Sequence, residues 1–241
     1  QSIGGVISNQ QMGSFGDFAI CSFTGGKILD IGGGGGLIVN NHTYYSDCNN
    51  LAKKLPEFES IKNFKLLSLS HRNLYHSGID LMRANPSIES MNILFENMEY
   101  YKSLYFYSCP FKKDELYRRL EKGFKNLKEL NIQRIEKAQI YLDRLDSLSE
   151  YIRPITSWKS TKVLWRMCFL LNDEEVLINL TNYLRSNNIH ASNHYWPSSL
   201  LFNNKSSLQN SKSVSRRILN LWVDHNVGFS YVKDTCDLIH D

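Results

Sequence analysis

The sequence contains no Cys-x-x-Cys pair, and its cysteines are few and odd in number. The five thiols are scattered along the chain, at Cys21, Cys48, Cys109, Cys168 and Cys236. A disulfide framework uses an even set of cysteines, and a structural zinc site uses closely spaced ligand pairs. The pattern indicates neither, so we expect reduced thiols, no metal site and mostly buried cysteine side chains.

Long apolar runs and blocks of like charge are missing as well. No segment reaches the length of a membrane-spanning helix, and the N-terminus has no signal-peptide pattern. The 28 basic and 24 acidic side chains are interleaved and leave a net charge of +4, whereas nucleic-acid-binding proteins usually carry a basic patch. We therefore expect a cytoplasmic protein that binds neither membranes nor nucleic acid.

What is present is the composition of a soluble globular protein, with 42% apolar and 22% charged residues. The first forty residues are rich in glycine, and short apolar segments over 18–23 and 37–39 predict buried strands. A helical pattern runs from Tyr45 to about Lys54. The chain is long enough for one large domain or two smaller ones.

The stretch from Asp114 to Leu148 shows the strongest periodicity. Its apolar residues recur in steps of three and four, which predicts one long helix or a helix pair with an apolar stripe. Charged side chains between these positions, such as Arg118, Glu121 and Lys125, are assigned to the solvent-exposed face.

The last third of the chain predicts alternating strands and helices. Residues 163–171 predict a strand, and Asp173 is placed to cap a helix that runs to Leu184. The pattern then predicts, in order, a loop over 202–215, a short helix over 214–219, a strand over 221–223 and a helical turn over 234–239. The element order indicates an α/β chain that divides near residue 110.

The most informative segment runs from Ser22 to Val39 and contains five consecutive glycines after a lysine. A phosphate-binding P-loop would need a glycine where Cys21 stands and Ser or Thr where Ile28 stands. A dinucleotide-binding motif would need a helix after its glycines, but the residues there predict a strand. Neither nucleotide motif is present.

Lys27 is the candidate catalytic residue of this segment. It follows Ser22 by five residues, comes after a predicted strand and has glycines on both sides. Small neighbours leave room for a planar cofactor, and a lysine that is desolvated or beside another cation is a better nucleophile. From this local pattern alone, a solvated surface lysine in a loop remains the open alternative.

The order and spacing of several short motifs resemble one enzyme family. These are Gly13-Ser-Phe-Gly-Asp17, then Ser22-Phe23, then Lys27, then the glycine run that leads into Leu37 to Asn40. Together they resemble the DegT/DnrJ/EryC1/StrS family of pyridoxal-phosphate (PLP) sugar aminotransferases. The resemblance is strong over residues 1–41 and looser over the rest of the chain, including Arg134, Ala138 and Tyr141 on the long predicted helix.

The resemblance implies a fold and a set of site residues. The fold is the α/β fold type I of PLP-dependent transferases, similar to aspartate aminotransferase, with an incomplete large domain over 1–110 and a small C-terminal α/β domain over 111–241. Lys27 would be the Schiff-base lysine, Ser22 would donate a hydrogen bond to the cofactor phosphate, and Gln1 would lie beside the cofactor ring. The family's aspartate that pairs with the pyridine nitrogen has no counterpart in the sequence.

The activity that the resemblance implies is transfer of an amino group from glutamate to a nucleotide-linked keto-sugar, for surface polysaccharide biosynthesis, by a homodimer. The family's N-terminal part has no counterpart here, so we expect a fragment, a missed gene start or a decayed enzyme. The alternative is a truncated, non-catalytic remnant with a structural or subunit-contact role. A sugar dehydratase is disfavoured, because related dehydratases replace the lysine with histidine.

Four aromatic side chains and one histidine complete the set of candidates. His194, Tyr195 and Trp196 would lie near the sugar pocket by resemblance, although aromatic residues after a strand more often belong to the core. Trp165 and Trp222 are assigned to packing.

Overall fold

The structure is a computed structural model, and it describes residues 2–55, 113–155, 163–192 and 208–241. The chain divides into two compact units. One consists of Gln1–Asn40 with Tyr117–Asp241, and the other of Asn41–Leu116. The division near residue 110 into a large and a small domain stays a prediction about the intact protein.

Two antiparallel hairpins form the N-terminal part of the first unit. Strand β1 (Val6–Ile7) pairs with β2 (Gln10–Gln11), and β3 (Phe18–Ser22) pairs with β4 (Gly35–Val39). The register places Phe18 opposite Val39 and Ser22 opposite Gly35.

The predicted strands β3 and β4 are confirmed, but the prediction that they are buried is wrong for this chain. Phe18, Ile20 and Leu37 are exposed, and the exposed fraction of Ile20 is 84%. Among the described residues β3 and β4 form a sheet of two strands only, and the face that carries Phe18, Ile20 and its cross-strand partner Leu37 is not covered by packing.

Helices α1 and α2 follow the predicted pattern. Helix α1 (Tyr45–Lys53) belongs to the second unit, and α2 (Lys113–Leu145) is one continuous helix of 33 residues. Arg118, Glu121 and Lys125 are exposed as predicted. The opposite face of α2 is buried, and it includes the polar side chains Asn131, Arg134 and Lys137 beside apolar ones.

A four-stranded antiparallel sheet forms the C-terminal part of the first unit. Its elements in chain order are β5 (Ile152–Pro154), β6 (Met167–Leu171), helix α3 (Glu174–Ser186), β7 (Ala191–Ser192), helix α4 (Gln209–Ser215), β8 (Ile218–Leu221) and helix α5 (Phe229–His240). The strand order is β5-β6-β8-β7. The main core lies between this sheet and α2, α3 and α5, and includes Tyr141, Phe169, Leu184, Leu219 and Val232.

Several boundaries in this part differ from the sequence prediction. Strand β6 begins at Met167, where pairing with β8 starts, and not at Val163. Strand β8 lies where a helix was predicted, because Leu219 and Leu221 are fully buried in the sheet and this packing outweighs local propensity. Helix α4 occupies the end of the predicted loop, and α5 begins five residues before the predicted turn at Asp234.

The start of α3 supplies a test of its capping. The Asp173 carboxylate accepts hydrogen bonds from the backbone N–H groups of Glu175 at 2.6 Å and Val176 at 3.3 Å. We expect Asp173→Ala to lower the free energy of unfolding by about 1 kcal/mol, because two helix N–H groups lose their acceptor. Urea unfolding followed by circular dichroism measures the change. Asp173→Ser is the control, since serine caps the helix nearly as well, and an equal loss in both variants would contradict the capping role.

Candidate active site

Lys27 lies in the loop over residues 23–34 that joins β3 to β4. The loop is closed at its base by three backbone hydrogen bonds. The Phe23 N–H donates to the Gly34 carbonyl at 3.0 Å, and the Phe23 carbonyl accepts from Ile31 N and Gly33 N, each at 3.1 Å. The glycine-rich segment is therefore a compact loop at the end of a hairpin.

Apolar side chains next to Lys27 anchor the loop to helix α2. Ile28 and Leu29 are almost fully buried, and Ile28 packs with Leu127 of α2. Leu29 lies so close to Gly123 of α2 that a Cβ there would lie 2.3 Å from the Leu29 Cδ1 atom. Arg119 Nη1 adds a hydrogen bond to the Ile31 carbonyl at 3.1 Å. Helix α2 thus provides the platform on which the Lys27 loop rests.

The residue before Lys27 is held through both of its backbone groups. The Gly26 N–H donates to Asp30 Oδ2 at 2.8 Å, and the Gly26 carbonyl accepts from Trp165 Nε1 at 2.8 Å. Gly26 has φ +76°, a conformation that favours glycine. Asp30 also accepts from Gly32 N at 2.9 Å, so one carboxylate spans the loop.

The Lys27 side chain is half-buried and lies against an aromatic ring. Its Nζ atom is 4.8 Å from the centroid of the Trp165 ring. This distance falls within the range at which an aromatic face attracts a lysine ammonium group. The Lys27 side chain is therefore partly buried, and its role as the cofactor lysine stays a prediction.

A buried group of charges lies behind Trp165. Arg166 Nη1 and Asp224 Oδ2 form an ion pair at 2.8 Å, with side chains only 6% and 1% exposed. The Arg166 guanidinium carbon lies 4.8 Å from the Trp165 ring centroid and 4.2 Å from that of Trp222. Lys137 Nζ donates to the Asp224 backbone carbonyl at 2.8 Å.

Arg134 adds a third cation to this group. Its Nη1 atom donates to the Trp165 carbonyl at 3.2 Å. Burial lowers the pKa of the Arg134 guanidinium to about 10, while the Asp224 carboxylate opposes this shift and the Arg166 charge adds to it. Asp224 is thus the counter-charge shared by cations from α2 and from the entry to β6.

Of the other predicted site residues, the structure describes only Ser22. Ser22 is exposed at the end of β3, and its Oγ atom lies 3.1 Å from Thr24 Oγ1. Ser22 and Lys27 therefore lie at the same end of the hairpin. Gln1, His194, Tyr195 and Trp196 lie outside the described residues.

Sequence reasoning missed two residues of the site. Asp30 was not singled out, although a carboxylate amid glycines is a signal for a side chain that accepts from loop N–H groups. Trp165 was assigned to packing alone, and no local signal could have joined it to Gly26, which lies 139 positions away.

The part of the chain that the structure describes has neither a metal-binding cluster nor a membrane-spanning helix. No group of three or more His, Cys, Asp or Glu side chains there could hold a metal ion. None of the helices among these residues is long and apolar enough to cross a membrane.

A known family matches most of the chain. The family model for the DegT/DnrJ/EryC1/StrS aminotransferase family matches residues 1–61 and 120–240. These ranges include the Lys27 loop, most of α2 and the C-terminal sheet. No curated protein matches the sequence.

Solved structures share the fold at low sequence identity. The aminotransferase TlmJ from Streptoalloteichus hindustanus has 17% identity and a TM-score of 0.67, and the match covers 98% of this chain and 54% of TlmJ. Helicobacter pylori PseC, an aminotransferase of pseudoaminic acid biosynthesis, has 15% identity and a TM-score of 0.68, with coverage of 99% and 56%. The E. coli GDP-4-keto-6-deoxy-D-mannose-3-dehydratase with bound hydrated PLP has 12% identity and a TM-score of 0.63, with coverage of 98% and 58%.

These similarities confirm the expected fold class. The chain has the α/β fold of type I PLP-dependent aminotransferases, and it spans about half the length of the structures that it matches.

The contact between Leu29 and Gly123 supplies a test of the platform under Lys27. Replacing a helix glycine by alanine normally stabilises the helix by about 1 kcal/mol. We expect Gly123→Ala instead to lower the free energy of unfolding by about 1–3 kcal/mol, because the new methyl group overlaps Leu29.

Urea unfolding measures the effect, and Leu29→Ala provides the matched background. In the Leu29→Ala background the Cδ1 atom that would overlap the new methyl group is absent. There, Gly123→Ala should leave the free energy of unfolding unchanged or raise it. An equal loss in both backgrounds would show that the two residues do not touch.

Proposed function

This chain belongs to the DegT/DnrJ/EryC1/StrS aminotransferase family, and on that premise we propose that the intact protein is a PLP-dependent aminotransferase with Lys27 as its catalytic lysine. The observation that carries the proposal is the position of Lys27. It is half-buried in a compact glycine-rich loop, with its amine against Trp165 and the preceding peptide held on both sides. A lysine with only a solvated role needs none of these contacts.

The residues around Lys27 fit the proposed cofactor. The hydroxyl groups of Ser22 and Thr24 lie together at the end of β3, where each is a hydrogen-bond donor suited to a phosphate oxygen. Gly25 and Gly26 carry no side chains that would occupy the space of a planar ring. When bound, PLP supplies an electron sink that makes the α-proton of an amino acid acidic.

The proposed roles follow from this arrangement. Lys27 would hold the cofactor through Nζ, and Ser22 would donate a hydrogen bond to its phosphate. With an amino donor bound, the Nζ amine of Lys27 would take the proton from the donor α-carbon and hold it for return. Gln1 is proposed, by resemblance, to lie beside the cofactor ring.

The proposed substrates are glutamate as amino donor and a nucleotide-linked keto-sugar as acceptor. Two neighbours in fold support a sugar as the acceptor, whereas glutamate is proposed from the family resemblance. PseC takes part in pseudoaminic acid biosynthesis, and the E. coli dehydratase is named for a GDP-linked keto-sugar. The product would be an amino sugar for a surface polysaccharide, made in the cytoplasm by a homodimer whose subunits meet at the active sites.

Lys27→Ala tests the proposal directly. We expect the full-length protein to show a long-wavelength absorbance band of bound cofactor that glutamate bleaches, and Lys27→Ala to lack that band. Amino transfer should fall by at least about 10²-fold, because the proton-transfer group is lost. Absorbance spectroscopy and amino-sugar formation measure the two effects.

Lys233→Ala is the matched control, since Lys233 is an exposed lysine on α5 and not on the loop. It should keep the band and the activity. If the wild-type protein shows no band with PLP, the non-catalytic remnant becomes the better account. If Lys27→Ala keeps a band that glutamate still bleaches, another lysine holds the cofactor.

A further inference from the structure

The glycines of the Lys27 loop make a single loop conformation entropically costly. Glycine loses more backbone freedom on ordering than any other residue, so a loop rich in glycine is costly to hold in one conformation. A catalytic amine nevertheless needs a position fixed to within about 0.5 Å. Contacts from outside the glycine run must therefore supply the rigidity.

Trp165 supplies two such contacts at once. The edge of its indole donates from Nε1 to the Gly26 carbonyl at 2.8 Å, and the face of the same ring lies 4.8 Å from Lys27 Nζ. One side chain thus contacts the backbone directly before the lysine and also the end of the lysine side chain. Asp30 completes the arrangement, because it accepts from the Gly26 N–H on the other side of the peptide.

Trp165 is itself held by the buried charges behind it. Arg166 lies 4.8 Å from the Trp165 ring centroid and is fixed by its ion pair with Asp224. The Trp165 backbone carbonyl accepts from Arg134 Nη1 at 3.2 Å. The ring that touches Lys27 is therefore connected to helix α2 and to the C-terminal sheet.

We infer that Trp165 is a positioning residue for Lys27, fixing the Gly26 peptide with its indole N–H and the Lys27 side chain with its ring face. Asp30 is the second half of this clamp. The importance of the clamp for catalysis rests on the proposed function, whereas the clamp itself is a property of the loop. Trp165 acts by holding Lys27, and it contributes no acid, base or nucleophile of its own to the reaction.

Two variants separate the edge contact of Trp165 from its face contact. Trp165→Phe keeps an aromatic face but has no N–H, and Trp165→Ala removes both. Tyr141→Phe is the matched control, because it also loses one hydrogen bond from an aromatic side chain to a backbone carbonyl, that of Trp222 at 3.3 Å, while its ring remains.

The first measurement is hydrogen exchange of the full-length protein, read by mass spectrometry on peptides that cover residues 23–34. In Trp165→Phe we expect amides of this loop to exchange about 5-fold faster, since one hydrogen bond is lost, with the rest of the chain unchanged. Trp165→Ala should give a larger local increase, and Tyr141→Phe none. Asp30→Ala should speed the same amides, because the Gly26 and Gly32 N–H groups lose their acceptor.

The second measurement is the rate at which PLP becomes attached to Lys27. The Nζ amine condenses with the cofactor aldehyde and releases water, and added borohydride supplies the hydride that reduces the resulting C=N bond. Peptide mass spectrometry then counts modified Lys27. We expect the attachment rate to be highest in the wild type, lower in Trp165→Phe and lowest in Trp165→Ala. In Trp165→Ala the rate should fall by about 10-fold.

The outcomes distinguish the inference from the proposed function. If Lys27 of the wild-type protein is not modified, the proposed function fails, and hydrogen exchange alone decides the inference. Unchanged loop exchange in Trp165→Phe would overturn the inference, and so would an equal increase across the whole chain, which is what a purely packing role predicts. A local increase with slower attachment at Lys27 supports it.

Discussion

The buried carboxylate of Asp224 is the constraint on which the arrangement around Lys27 depends. A charged group with almost no exposure must be paired, since an isolated buried charge costs several kcal/mol. Asp224 meets this need with the Arg166 guanidinium, and its backbone carbonyl also accepts from Lys137 of α2. These two contacts of Asp224, which follows β8, therefore fix the position of Arg166 at the start of β6 and of Lys137 on α2 relative to each other.

The position of Trp165 follows from that constraint. Arg166 is fixed by its ion pair, and its guanidinium lies over the rings of both Trp165 and Trp222. Such stacking suits a planar guanidinium, which is weakly hydrated and keeps its in-plane N–H donors for the carboxylate. The indole whose N–H donates to the Gly26 carbonyl is thus held beside β6 by two cations, Arg166 over its ring and Arg134 at its backbone carbonyl.

How much of the fold and of the candidate site could be predicted from the sequence depends on how far apart in the chain the interacting residues are. Lys27 could be proposed as a site residue because its signal is local, consisting of a serine five residues earlier and glycines on both sides, and because the order of these motifs resembles one family. Its catalytic role stays a prediction. Helix α2 was found because its periodicity extends over many turns. Trp165 was not found, because its partner is 139 positions away, and strand β8 was misplaced because the sheet that buries it is assembled from four separate segments. The burial of Arg134 and Lys137 was missed for the same reason, since their acceptors are backbone carbonyls at distant positions.

Glycine at the residue before the lysine explains why the rigidity of the loop comes from elsewhere. Gly26 has φ +76°, where a residue with a side chain is strained, so stiffening the loop by substituting Gly26 is not available to this fold. The loop instead combines Asp30 within the turn, the buried side chains of Ile28 and Leu29 on α2, and Trp165 from the C-terminal part. Each contact replaces some of the conformational restriction that the glycines do not provide. Lys27 is therefore positioned by residues that neither the glycine run nor the lysine itself would identify.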